Sequence, residues 1–230
     1  HPSTHGVLRV ILKLEGEIVK DLYPDVGYIH CGVEKMCEYK KYPSISPYPE
    51  RLDYLSAVNS NLAYVMAVEK LLNLDVPIRA KYIRTLLCEI NRITSHLLWF
   101  SAFGMDVGAL TPIMYAFRER EELISIMEEI CGGRLTHHAI RIGGFLYDLP
   151  AGIDKKIKKF CSNFDRRVDE YEALLVNNVI LKSRTINIGV LSKEKAIDWG
   201  VTGPSLRASG VNFDLRKNSP YLVYDRLNFN

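Results

Sequence analysis

Residues 80–103, AKYIRTLLCEINRITSHLLWFSAF, decide the architecture. Ile83, Leu86, Leu87, Ile90, Ile93, Leu97 and Leu98 recur at three-to-four spacing, the period of a helix face. The stripe is too broad for a helix buried on one side only, so the segment needs packing partners, and the flanking sequence supplies them. From Glu50 onward, Leu52, Leu55, Leu62, Val65, Met66 and Leu71 repeat the spacing as far as Asn73, ahead of Pro77. Gly104 and Gly108 are read as interrupting the central helix. Thr111-Pro112 opens a third helix with proline in its first turn, and Gly132-Gly133 stops it after Cys131. A charge-rich fourth helix is expected over residues 153–177.

Before the helices, residues 7–14 (VLRVILKL) are apolar and β-branched, and Glu15-Gly16-Glu17 turns the chain into a second apolar run at 18–22, a hairpin pattern. Gly27 and Gly32 break any pattern in residues 27–39, and Pro43, Pro47 and Pro49 mark a loop. Past Arg184, short mixed elements are punctuated by Gly189, Gly200, Gly203 and Gly210. The expected class is α+β, a β-hairpin region packed on a bundle of long helices. Its regions are a β-rich stretch at 1–49, a helical bundle at 50–183 and a mixed α/β segment at 184–230, incomplete at its C-terminus.

Composition excludes several classes. The 230 residues are 47% hydrophobic and 25% charged, with 30 Lys and Arg against 27 Asp and Glu for a net charge of +3. The charges are scattered, so no nucleic-acid stripe stands out. Apolar runs such as residues 97–102 are far shorter than the roughly 20 residues of a membrane span, and no signal-peptide pattern opens the chain. The five cysteines are widely spaced without a CxxC or CxxH pair, which reads as reduced, buried thiols rather than a zinc or iron–sulfur ligand set. Position 1 is not Met and the last residues run on without a stop signal, so the chain is read as a piece of a longer polypeptide.

A few residues could carry chemistry. His1 and His5, in HPSTHG, sit in a loop leading into a strand; such a loop can present an imidazole to a cavity, or the pair is a plain polar end. Tyr54 follows Arg51 and Asp53 at the start of the first long helix, where its hydroxyl meets a ligand or only water. Asp106 lies between apolar flanks where two helices meet; it orients a histidine or caps the next helix. Arg118-Glu119-Arg120-Glu121-Glu122 reads as a solvated face with local ion pairs. His137, His138 and Arg141 form a basic loop suited to a negatively charged cluster or partner. Arg207 falls in a Gly- and Ser-rich loop without P-loop spacing.

Taken in order, HPSTHGVLR, GYIHCGVEK, ERLDYLSAV, AVEKLL, SHLLWF, MDVGALTP, FRERE, RIGG, DEYEALL and TGPSLRASGVNFDLRK resemble the quinone-site D subunit of the proton-pumping NADH:quinone oxidoreductases, complex I, across nearly the whole chain. That family shares its fold with the large subunits of nickel–iron hydrogenases. In those proteins an RxCGxC motif stands where Arg51 to Ser56 stand here. Asp53 and Ser56 replace its two cysteines, and without soft thiolates a nickel–iron centre is disfavoured.

The resemblance implies a subunit that forms a quinone-reduction site and is inactive alone, with His5 and Tyr54 as ligands of the quinone headgroup and Asp106 as the partner of His5. Two protic donors can hydrogen-bond the two carbonyl oxygens and supply two protons. It also implies quinone as substrate, no metal bound by this chain, and electrons from a 4Fe–4S cluster in a neighbouring subunit. Implied partners are that cluster subunit, other peripheral-arm subunits and a quinone-channel membrane subunit. The implied place is peripheral, on the cytoplasmic face of a bacterial inner membrane or the matrix side of a mitochondrial one. A membrane-bound energy-converting hydrogenase subunit and a non-catalytic truncated scaffold are the alternatives. Two positions depart from the family pattern: Cys31, where an arginine often follows the histidine of GYIH, and Thr136, where a histidine often stands five residues before the arginine of RIGG. Both remove positive or protonatable character near the cluster, which implies a low cluster potential suited to a menaquinone-type acceptor.

Overall fold

The computed structural model of the chain describes residues 8–229. Its class is α+β, and it divides into two units between Ile45 and Ser46. The first contains the hairpin. Strand β1 (Arg9–Glu15) pairs antiparallel with β2 (Ile18–Asp25), Gly16 turning between them at φ 63°. A bulge after Lys13 keeps Val10, Leu12 and Leu14 opposite Pro24, Leu22 and Val19. One face is therefore wholly apolar, yet the side chains on it are exposed. Two short helices follow, α1 (Val33–Cys37) and α2 (Tyr42–Ile45).

Pro43 lies within α2, and Pro49 is the first residue of a 3-10 turn, Pro49–Arg51. The loop expected from the prolines is therefore mostly helical turn, because proline's fixed φ suits a first turn.

The second unit is built on α3 (Ala57–Leu72), α4 (Ile78–Asp106), α5 (Thr111–Cys131) and α6 (Ile153–Tyr171). Helix α3 starts later than the apolar spacing suggests, since Tyr54–Ser56 forms another 3-10 turn ahead of it. It ends on Asn73, which takes the left-handed conformation at φ 53° while Leu74 N–H bonds Glu69 O at 2.9 Å. Helix α4 does not break at Gly104. There a Cβ would lie 3.3 Å from Pro112 Cβ, so this glycine lets α5 approach closely. Helix α5 ends on Gly132, at φ 78°. Helix α6 runs into a π-turn, Glu172–Val176, where Asn177 N–H reaches back to Glu172 O at 2.8 Å.

The core is one cluster: Val58, Leu62 and Val65 of α3, Ile83, Leu87, Ile90 and Leu97 of α4, Leu123 and Met127 of α5, and Ile153 and Phe160 of α6. The four expected helices and the broad stripe on α4 are both realised here. From residue 184 to 229 the described elements beyond helix α7 (Val179–Thr185) are short helices and a 3-10 turn rather than mixed α and β: α8 (Lys193–Asp198), α9 (Gly203–Ala208), α10 (Leu215–Asn218) and Tyr224–Arg226. Arg207, expected in a loop, lies on α9. Tyr224 hydroxyl donates to Glu89 of α4, and Arg216 pairs with the same carboxylate at 3.3 Å, anchoring this segment. No helix among the described residues is long and apolar enough to cross a membrane.

A tiny hairpin, β3 (Ile140–Arg141) with β4 (Gly144–Phe145), holds the RIGG motif. Its anchor is a buried ion pair. Arg84 of α4 bonds both carboxylate oxygens of Glu69 of α3, at 2.6 and 2.9 Å, and donates to Arg141 O and Gly144 O at 2.8 Å each. Gly143 N–H completes the ring on Glu69 at 2.8 Å. Arg84→Met leaves Glu69 buried without its partner and is expected to destabilise the fold by about 3–5 kcal/mol. Urea unfolding monitored by circular dichroism checks this, and an unchanged midpoint would contradict it.

Candidate functional site

Tyr54 is held by its neighbours on both sides. Asp53 Oδ1 accepts from Ser56 N–H at 3.3 Å and closes the 3-10 turn. Ser56 does not cap α3; Asn91 of α4 does so instead, accepting from Val58 N–H at 3.1 Å and donating to Leu55 O at 3.2 Å. One side chain thus satisfies an orphan amide of α3 and fixes the turn that carries Tyr54. Tyr54 is 44% exposed, so the ring has a solvent side and a protein side.

On the protein side Tyr54 borders a cavity of about 10 Å³, shared with Asn91, Thr94, Arg120, Arg134 and His137. His137 is buried, and neither of its ring nitrogens, nor Arg120 Nε, has a hydrogen-bond partner among the described residues. Burial holds the His137 imidazole down from 6.5 to about 4, so it is neutral near pH 7.

The next residue is fixed differently. His138 N–H donates to both carboxylate oxygens of Glu50, at 2.7 and 3.0 Å, and Asn61 Nδ2 donates to the same carboxylate at 3.0 Å and to Ile140 O at 3.1 Å. Glu50 is 1% exposed, and burial pushes it up from 4.5 to about 7 against these hydrogen bonds. His138 Nε2 meets the Arg141 guanidinium. The loop read as generally basic is therefore one buried histidine, one tethered histidine and one arginine.

Asp106 is the last residue of α4 and is exposed. It does not cap α5, whose N-cap is Leu110. The cavity wall given by α4 is Asn91 and Thr94, and Asp106 lies twelve residues past Thr94, about 18 Å of helix rise. His1 and His5 lie outside the described residues.

Other sequence expectations change. Glu119 of the RERE run is buried rather than solvated, bonded by Arg118 at 2.5 Å, Arg167 at 3.3 Å and the Tyr171 hydroxyl of α6. All five cysteines are free, but Cys88 alone is buried; Cys31 and Cys161 are exposed. Among the described residues no three His, Cys, Asp or Glu side chains gather in a metal-binding group.

The family model described as "Respiratory-chain NADH dehydrogenase, 49 Kd subunit" matches residues 106–230, more than half of the chain. The chain belongs to this family. The full 100% of the chain aligns at 52% identity with the second NADH-quinone oxidoreductase D subunit of Solibacter usitatus (strain Ellin6076), covering 62% of that protein. It aligns equally fully, at 52% identity, with the NADH-quinone oxidoreductase D subunit of Magnetococcus marinus, covering 58%. The protein of the same name from Sulfurovum sp. (strain NBC37-1) is 50% identical, with 56% covered. The chain thus spans about six-tenths of the length of these relatives.

Around this cavity, sequence reasoning does not single out Glu50, and it reads Arg120 only as part of a solvated charged run. Glu50 adjoins the motif ERLDYLSAV but reads as an ordinary acidic helix start. The signal that could find it is its proline neighbour, Pro49, which turns the chain so that the next side chain points inward.

The two perturbed groups act oppositely on stability. Glu50, raised from 4.5 to about 7, contributes stability that is complete in acid and lost as pH rises toward 7. His137, lowered from 6.5 to about 4, contributes stability that is complete above 6.5 and lost as pH falls toward 4. Over the shared window they oppose each other. His137→Gln is expected to leave a protein whose stability falls as pH rises through that window, and Glu50→Gln one whose stability falls as pH drops. Urea midpoints at half-unit pH intervals decide this, and identical profiles for both variants and the parent would contradict it.

Proposed function

We propose that this chain forms the quinone-reduction site of a respiratory NADH:quinone oxidoreductase. There it works only within the assembled complex and helps couple quinone reduction to proton translocation. The observation that carries the reading is Tyr54: a half-exposed phenol, on a turn pinned by Asp53 and Asn91, beside a small polar cavity. The relatives, NADH-quinone oxidoreductase D subunits, supply the substrate class.

A quinone takes two electrons and two protons to become a quinol. Electrons come from the iron–sulfur cluster of a neighbouring subunit. As charge builds on the two carbonyl oxygens, Tyr54 donates to one and His5 to the other, and each passes its proton on. A phenol meets that task because it holds its proton until the quinone oxygen becomes strongly basic. The family resemblance makes Asp106 the partner of His5, and the loss of His5's proton would change the field that Asp106 feels; this change is the coupling signal sent toward the membrane arm. The partners are the cluster subunit, which supplies the second wall of the pocket, other peripheral-arm subunits, and a membrane subunit that admits the quinone tail. The chain then sits peripherally, on the cytoplasmic or matrix face of the membrane.

The hydrogenase alternative is further weakened by the bond between Asp53 and Ser56. These residues occupy the two former cysteine positions, and they now close a turn against each other. Cys31 and Thr136 leave the cluster environment less positive than in relatives with arginine and histidine there, so a low potential is expected. A redox titration of the complex checks this; a high, strongly pH-dependent potential would contradict it.

Tyr54→Phe in the assembled complex is expected to lower quinone reduction by about a hundredfold or more while NADH-to-ferricyanide activity stays intact. Asp106→Asn is expected to lower protons pumped per electron more than the rate of quinone reduction. Steady-state assays in proteoliposomes read both, and full quinone reduction by the Phe variant would overturn the reading.

A further inference from the structure

The cavity beside Tyr54 contains groups for which headgroup binding has no use. His137 is 8% exposed, and both its ring nitrogens, with Arg120 Nε, are buried without a hydrogen-bond partner among the described residues. Buried polar groups are nearly always satisfied by protein or by ordered water. The volume of about 10 Å³ is room for about one water and for no larger ligand. A water there has polar partners at hand in the buried Arg120 Nε–H and a His137 ring nitrogen, and Tyr54 lines the same cavity. Asn91 adds little, since its amide already serves Val58 and Leu55.

We propose that this cavity binds one water linking His137 to the Tyr54 hydroxyl, and that His137 is the relay that returns to Tyr54 the proton it gives to the reduced quinone. The proposal rests on the reading of Tyr54 as a quinone donor. The step balances without further electrons. Tyr54 O–H breaks as the quinol O–H forms, leaving a phenolate. The water gives a proton to the phenolate oxygen and takes one from the His137 N–H that faces it. That N–H belongs to a transient imidazolium, because the other ring nitrogen of His137 has first taken a proton from the outer side, where Arg134 and Leu135 on the same cavity wall are exposed.

The electrostatics suit a relay rather than a store. Burial keeps the resting ring neutral, with one N–H to give and one bare nitrogen to receive. A phenolate on Tyr54 raises the proton affinity of the imidazole beside it, so uptake follows the chemical step. The other charged groups on the wall, Arg120 and Arg134, are both positive and oppose a lasting imidazolium. The remaining wall residues named for the cavity, among them Thr94, Ile124 and Met127, do not titrate.

The test uses the assembled complex carrying His137→Ala, His137→Asn or Tyr54→Phe, with NADH-to-ferricyanide activity as the measure of assembly. His137→Ala is expected to lower kcat for quinone reduction by about a hundredfold, with KM for quinone unchanged, a larger solvent deuterium effect on kcat, and recovery on adding imidazole. His137→Asn, which fills the site but cannot relay, is expected to match it without recovery, and it carries the test if the Ala variant fails to assemble. Full kcat and an unchanged isotope effect in both His137 variants, beside an inactive Tyr54→Phe, would overturn the relay while leaving the role of Tyr54 standing. A loss in His137→Ala that imidazole does not restore would make His137 structural and overturn the relay as well. Full activity in Tyr54→Phe would overturn both.

Discussion

The buried pair of Arg84 and Glu69 is the constraint on which the rest of the second unit depends. A guanidinium and a carboxylate removed from water are costly unless every donor and acceptor is used. Here the remaining groups are taken up by backbone, with Arg141 O, Gly144 O and Gly143 N–H completing the ring. The pair is therefore less a bond between α3 and α4 than a socket for the RIGG hairpin. It adds little net stability over an apolar core of equal volume, but it fixes position. The hairpin can sit in one place only, because shifting it would strip a buried charge of its partners.

From that fixed hairpin the chain runs back through His138 and His137. Glu50 holds His138 by its amide and Ile140 through Asn61, so the loop is tied to the residues just before the Tyr54 turn. Asn91 ties the turn itself to α4. Three polar side chains, Glu50, Asn61 and Asn91, thus fix the segments that bring Tyr54 and His137 to one small cavity. All three are buried. The apolar core sets where the helices lie, and these polar groups set which side chains face each other.

Much of this is legible in the sequence, and the failures share a cause. The hairpin, the four long helices, the proline start of α5 and its glycine stop follow from local patterns of period two or three-to-four and from local backbone chemistry. What depends on a partner distant in sequence is not legible. Gly104 reads as a breaker because Pro112, which it accommodates, lies across a turn. Glu119 reads as solvent-facing because Arg167 and Tyr171 come a whole helix later. Glu50 and His137 look like ordinary polar residues until the hairpin closes over them. Tyr54 stands out through its motif, but its cavity does not, since its walls come from α4, α5 and the loop after α5. Asp106 reads as a junction residue and stands at the end of α4.

The most direct measurement is the site of covalent labelling by a quinone that carries a photoreactive group on its headgroup, in the assembled and electron-loaded complex. If Tyr54 is the donor to that headgroup, the label falls on the turn at residues 51–56 and is suppressed by excess unmodified quinone. Labelling confined to other parts of the complex, with the Tyr54 turn unmarked and quinone still protecting the sites that are hit, would contradict the account.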